Sequence, residues 1–76
     1  MPNFPNPFNP QTSIAYTIPR RTHVALTIYD AAGRLVAKLV NGVQPAGRNV
    51  VTWNGRDRRG LTVAPGVYFA RLVTDE

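Results

Sequence analysis

The run His23-Val24-Ala25-Leu26-Thr27-Ile28-Tyr29-Asp30-Ala31-Ala32-Gly33 is apolar at every second position of its first seven residues. Val24, Leu26 and Ile28 fall on one side, and His23, Ala25, Thr27 and Tyr29 on the other, which is the period of a half-buried strand. Asp30-Ala31-Ala32-Gly33 then suits a type I turn closed by a glycine at positive φ, a common hairpin connection. Thr12 to Ile18 alternates in the same way, with Ile14, Tyr16 and Ile18 on one face. Pro19-Arg20-Arg21-Thr22 joins the two runs as a turn, the proline presetting φ.

Beyond Gly33 the reading divides. Leu35, Val36, Leu39 and Val40 fit a helical face, with Arg34 and Lys38 one turn apart. Such a helix spans barely two turns and needs tertiary packing to persist. Gly33 behind it and Asn41-Gly42 ahead of it suit hairpin ends, so Arg34 to Val40 is read as a strand. Val43 to Gly47 is a loop. Arg48 to Trp53 is a strand with Val51 and Trp53 on one face, followed by a polar turn over Asn54 to Gly60. Leu61-Thr62-Val63 reads as a short strand ended by Ala64-Pro65-Gly66. Val67 to Val73 lacks clean alternation, which predicts a last strand buried on both faces in the middle of a sheet. Strands at this spacing, with turn signals between them, favour a small antiparallel all-β sandwich or barrel. Gly33 and Gly60 are expected at φ > 0.

The chain opens Pro2-Asn3-Phe4-Pro5-Asn6-Pro7-Phe8-Asn9-Pro10. Prolines forbid a helix here and leave few donors for a ladder. Phe4 and Phe8 are costly to leave in water, at about 1.5–3 kcal/mol each. Residues 1–5 are read as a linker or N-terminal extension, and residues 6–76 as the folded module. Asn6 to Pro10 is read as an ordered entry turn, with Phe8 expected to plug one end of the core. That core is expected from Phe8, Ile14, Tyr16, Ile18, Val24, Leu26, Ile28, Val36, Leu39, Val51, Trp53, Tyr68 and Leu72.

With 76 residues the chain affords one thin core and no deep cleft. There is no cysteine, hence no disulfide framework. No apolar run is long enough to span a bilayer, and the N-terminus has no signal-peptide pattern. The net charge of +5 raises nucleic acid as a partner. The cations are scattered, however, and no aromatic stacking platform alternates with them, so nucleic-acid binding is not expected.

Catalytic chemistry finds no set of residues. Ser13 and His23 are the one serine and the one histidine, on strands of different hairpins. Asp30 and Asp57 are turn residues with ready roles as acceptors for backbone amides. The loop Trp53-Asn54-Gly55-Arg56-Asp57-Arg58-Arg59-Gly60 offers oxygens at Asn54 and Asp57, but calcium takes six to eight, and three cations accompany these. The expectation is therefore no catalytic, cofactor or metal site. Asn54 and Asp57 satisfy loop amides above a buried Trp53. Tyr29 falls on the outward side of its strand, as a partner contact or a cross-strand pair. Any recognition surface is expected in the loops carrying Arg20, Arg21, Arg56, Arg58 and Arg59.

The ordered series Asn6-Pro7-Phe8-Asn9-Pro10-Gln11-Thr12, Ile14-x-Tyr16-x-Ile18-Pro19, Val24-x-Leu26-x-Ile28-Tyr29-Asp30-x-x-Gly33-Arg34-x-Val36, Ala46-Gly47, Trp53-Asn54-Gly55-Arg56-Asp57-x-x-Gly60 and Gly66-Val67-Tyr68-Phe69 with Arg71-Leu72 resembles a known pattern. It is similar to the C-terminal sorting domains of proteins exported by the type IX secretion system. It equally resembles the immunoglobulin-like domain of the flagellar hook-capping protein. The resemblance implies an immunoglobulin-like sandwich of about seven short strands. It also implies a non-catalytic sorting or cell-surface attachment module of a secreted bacterial protein, located outside the cell or on its surface. Its partners would be an upstream cargo domain and the outer-membrane export machinery. The alternative it implies is a structural assembly domain that packs on copies of itself or a flagellar partner. A carbohydrate-binding module is a third reading. Sorting domains continue past the Tyr-Phe-x-Arg-Leu strand to a final basic strand. Here the sequence reaches Val73-Thr74-Asp75-Glu76, which implies either a trimmed tail or the hook-cap branch.

Overall fold

The computed structural model describes residues 11–75. The linker assigned to residues 1–5, the Asn6-Pro7-Phe8-Asn9-Pro10 turn with its Phe8 plug, and Glu76 lie outside the described residues. Five strands follow in chain order: β1 (Thr12–Ile18), β2 (Thr22–Asp30), β3 (Leu35–Gln44), β4 (Gly47–Trp53) and β5 (Tyr68–Thr74). All pairings are antiparallel. One sheet has the order β1-β4 and the other β3-β2-β5. Only the β2–β3 link stays within a sheet; the other connections cross between the two. About seven strands are expected and five are found among the described residues; Leu61-Thr62-Val63, read as a short strand, contributes a single bridge, Arg56 to Thr62.

The core joins the two layers. Tyr16 and Ile18 of β1 pack with Val24 and Leu26 of β2. Toward the other end, Trp53 of β4 packs with Ile28, Val36 and Ala37. Ile14 and Leu39 touch both groups, and Val51 and Tyr68 lie half-buried beside them. The alternation read in β2 holds, with Val24 at 0 % and Leu26 at 1 % exposure.

β3 explains its own ambiguity. Its register against β2 slips twice, between Leu26 and Thr27 and between Ile28 and Tyr29. Leu26 faces Val40 while Thr27 faces Lys38, so Leu39 is an extra residue. Ile28 faces Ala37 while Tyr29 faces Leu35, so Val36 is another. Each bulge resets the side-chain parity. The apolar pairs Leu35-Val36 and Leu39-Val40 thereby acquire helix-like spacing on an extended backbone.

Two expectations need correction here. Asn41-Gly42 is not a hairpin end: β3 runs on to Gln44, with Ala25 opposite Asn41 and Val24 opposite Gly42. A tight Asn-Gly turn needs positive φ at both positions, and neither residue has it. The predicted Val43–Gly47 loop shrinks to Pro45-Ala46 between the strands. The second correction concerns β5. Among the described residues it is an edge strand paired only to β2, not the middle of a sheet. Phe69 is 56 % and Leu72 40 % exposed, so Leu72 leaves the expected core. β2, which alternates cleanly, holds the central place instead.

Gly33 and Gly60 both have φ of +83°. A methyl group at Gly33 would meet no neighbour within 4 Å, so its cost is conformational. Gly33→Ala is expected to lose about 1–2 kcal/mol, the penalty for a left-handed L-residue. Gly42, in equally open space but without positive φ, provides the control. Gly42→Ala should be neutral or slightly stabilising, and paired urea titrations measure the difference.

Candidate functional site

Two aspartates build the same turn at one end of the sandwich. Asp30 Oδ1 accepts the backbone N–H of Ala32 at 3.0 Å and of Arg34 at 2.9 Å, and Gly33 N donates to Asp30 O at 3.0 Å. Asp57 Oδ1 accepts from Arg59 N at 2.9 Å and Leu61 N at 3.0 Å, and Gly60 N donates to Asp57 O at 2.9 Å. Each Asp-x-x-Gly thus folds on its own side chain. The second turn is docked on β3 by Arg58 N, which donates to Val36 O at 3.0 Å. Leu35, Val36, Asp57 and Arg59 line a shallow hollow between the two turns.

Below the second turn, Trp53 Nε1 donates to Arg56 O at 3.0 Å, and Asn54 Oδ1 accepts from Arg56 N at 3.1 Å. Arg56 Nη1 donates to Gly60 O at 3.0 Å, and Val63 N donates to Gly55 O at 2.9 Å. The oxygens of Asn54 and Asp57 are engaged by the loop's own amides, as the sequence predicts. Trp53 is buried and lies edge-on to Tyr68, centroids 5.2 Å apart at 65°. The Tyr68 hydroxyl donates to Ala64 O.

The basic residues do not form one surface. Arg20 and Arg21 lie in the β1–β2 turn, at the end where Ile18 faces Gly47. Arg56, Arg58 and Arg59 follow Trp53, at the opposite end, where Thr12 faces Trp53. Arg34 joins the second group through its turn, its Nε 3.1 Å from Asp30 Oδ2. Sequence reasoning missed Arg34. The repeated Asp-x-x-Gly pattern, with a residue that reaches back onto the aspartate, was the available signal. Ser13 and His23 are likewise separated. Ser13 Oγ lies 3.5 Å from Thr52 Oγ1 on the β1-β4 sheet, and His23 Nδ1 lies 4.0 Å from Asp75 Oδ1 on the other.

Both turn carboxyls titrate low. The Arg34 backbone N–H holds Asp30 below the usual carboxylate value, partly offset by desolvation and helped by Ala32 N–H and the Arg34 charge. The Leu61 backbone N–H does the same for Asp57, with Arg59 N–H and the Arg59 and Arg58 charges adding to it. A folded pKa below the unfolded one means that the unfolded chain binds more protons in acid. The stability these groups contribute is complete above about pH 5 and is lost as pH falls through the folded pKa. Urea midpoints should therefore fall between neutral pH and strong acid, and Asp57→Asn should flatten that fall.

The remaining surface feature is apolar. Among the described residues β2 is the one strand that pairs with β5, and Val67, Phe69 and Val73 are exposed. In register, Tyr29 faces Phe69 across β2 and β5. A groove of about 400 Å³ lies between the strands of the two sheets, lined by Thr12, Ile14, Ile28, Trp53, Pro65 and Tyr68 among others. Gly66 also lines it.

The profile of the family described as the FlgD Ig-like domain matches residues 9–75. Among solved structures, the chain is similar to FlgD from P. aeruginosa, with a TM-score of 0.77 and 27% identity over 86% of this chain and 51% of that one. The chain thus spans about half the length of that protein. No curated protein matches it.

Proposed function

The chain belongs to the FlgD Ig-like domain family, and from that membership we propose that it is a non-catalytic assembly module of a larger bacterial protein, acting outside the cell or at its surface. The observation that carries this reading is the match from residue 9 to residue 75, together with a like fold in a protein about twice as long. A module of this kind acts through its surface. The exposed β5 edge and the end bearing Arg34, Arg56, Arg58 and Arg59 are the surfaces offered to the rest of the parent chain, to another copy or to a neighbouring protein. Four cations against Asp30 and Asp57 leave that end positive, which suits an acidic partner face.

The type IX sorting role is the second reading, and the motif series alone supports it. Deleting residues 9–75 in frame from the parent protein separates the two. The assembly role expects a truncated protein that is still exported and fails to join its structure. A truncated protein held in the periplasm would overturn that role in favour of sorting. Normal export and normal assembly would overturn both.

A further inference from the structure

We propose that the groove between β1 and β5 is the seat of the chain's own Asn6–Pro10 segment, with the Phe8 ring inserted against Trp53 and Tyr68. The proposal is independent of the assembly reading. Thr12 is at once the first residue of β1, the register partner of Trp53 and a lining residue of the groove. Whatever precedes it therefore starts at the groove's mouth. Phe8 is four residues upstream, within about 14 Å even when fully extended, so its ring stays close to this groove whichever way the segment turns.

The chemistry of the two surfaces matches. The groove is walled by aromatic and aliphatic side chains, Trp53, Tyr68, Ile14, Ile28 and Pro65. Trp53 and Tyr68 already meet edge to face, and a third ring can extend that arrangement at a centroid spacing of about 4.5–7 Å. A proline ring at positions 7 and 10 narrows the conformations open to the chain around Phe8, which would lower the ordering cost of docking. The same prolines lack the N–H groups that pairing with the open edge of β5 would require. The segment is thus suited to insert a side chain rather than to add a strand. Seated there, it fixes the direction from which any preceding chain reaches the sandwich.

Nuclear Overhauser measurements on the full chain test this without any substitution. The expected result is contact between Phe8 ring protons and those of Trp53, Tyr68 and Pro65 in a monomer. Phe8→Ala should lower the melting midpoint by about 8 °C or more and move resonances at Ile14, Trp53 and Tyr68. Phe4→Ala, as the control, should change the midpoint by less than about 2 °C. No Phe8 contact to the groove overturns the proposal, as does a Phe8→Ala chain that melts like the parent. Contacts seen only between differently labelled copies also overturn it, because the groove then takes a second molecule. Should Phe8→Ala fail to fold, the contacts in the parent chain still decide.

Discussion

Replacing Trp53 by alanine is expected to remove about 3–5 kcal/mol of stability, out of the roughly 4–11 kcal/mol typical of a chain this long. The size of the effect follows from where the indole stands. It ends β4 in one sheet and packs on Ile28, Val36 and Ala37 of the other, so its loss opens a cavity at the joint of the layers. It also leaves the Arg56 carbonyl without its donor and breaks the edge-to-face contact with Tyr68. Trp53→Phe restores much of the buried area and not the N–H, so it should fall between the parent and Trp53→Ala. Thermal melting followed by far-ultraviolet circular dichroism reads all three proteins on one scale. A Trp53→Ala midpoint within a few degrees of the parent would mean that the two sheets do not meet through this residue.

The second large effect is a contrast between two leucines that face each other in register. Leu26 lies in the central strand β2, and Leu72 lies opposite it in β5. Leu26→Ala should cost about 2–5 kcal/mol, the range for a fully buried aliphatic side chain. Leu72→Ala should cost less than about 1 kcal/mol, because its side chain is already 40 % exposed. Urea unfolding of the two variants gives the comparison directly. Equal losses would mean that another part of the chain covers the face of β5 that carries Leu72.

These two leucines also mark how far the sequence could be read. β2 was legible because a strand with one face on the core alternates, and Val24, Leu26 and Ile28 do so without a fault. β3 was legible as a strand only by its length and by Gly33 before it, since the bulges at Val36 and Leu39 erase the period that would identify it. β5 misled for another reason. The run Val67-Tyr68-Phe69-Ala70 is as apolar as a central strand, yet strand order is set by pairings made across the chain, and no local pattern records them. The turns at Asp30 and Asp57 were read correctly because each is closed by its own side chain. The scatter of the arginines was legible too, and strand direction accounts for it by sending Arg20-Arg21 and Arg56-Arg58-Arg59 to opposite ends.

The central position of β2 has a kinetic consequence. Its pairing with β3 is a local hairpin, but its pairing with β5 closes a loop over residues 31–67, and that of β1 with β4 one over residues 19–46. Loop-closure entropy is lost before such contacts form, which places folding in the range of about milliseconds to seconds. A two-stranded hairpin is only marginally stable alone. During synthesis the β2–β3 unit must therefore wait, one edge open, until Tyr68–Thr74 has left the ribosome. The module folds late and in one step, after its last strand emerges.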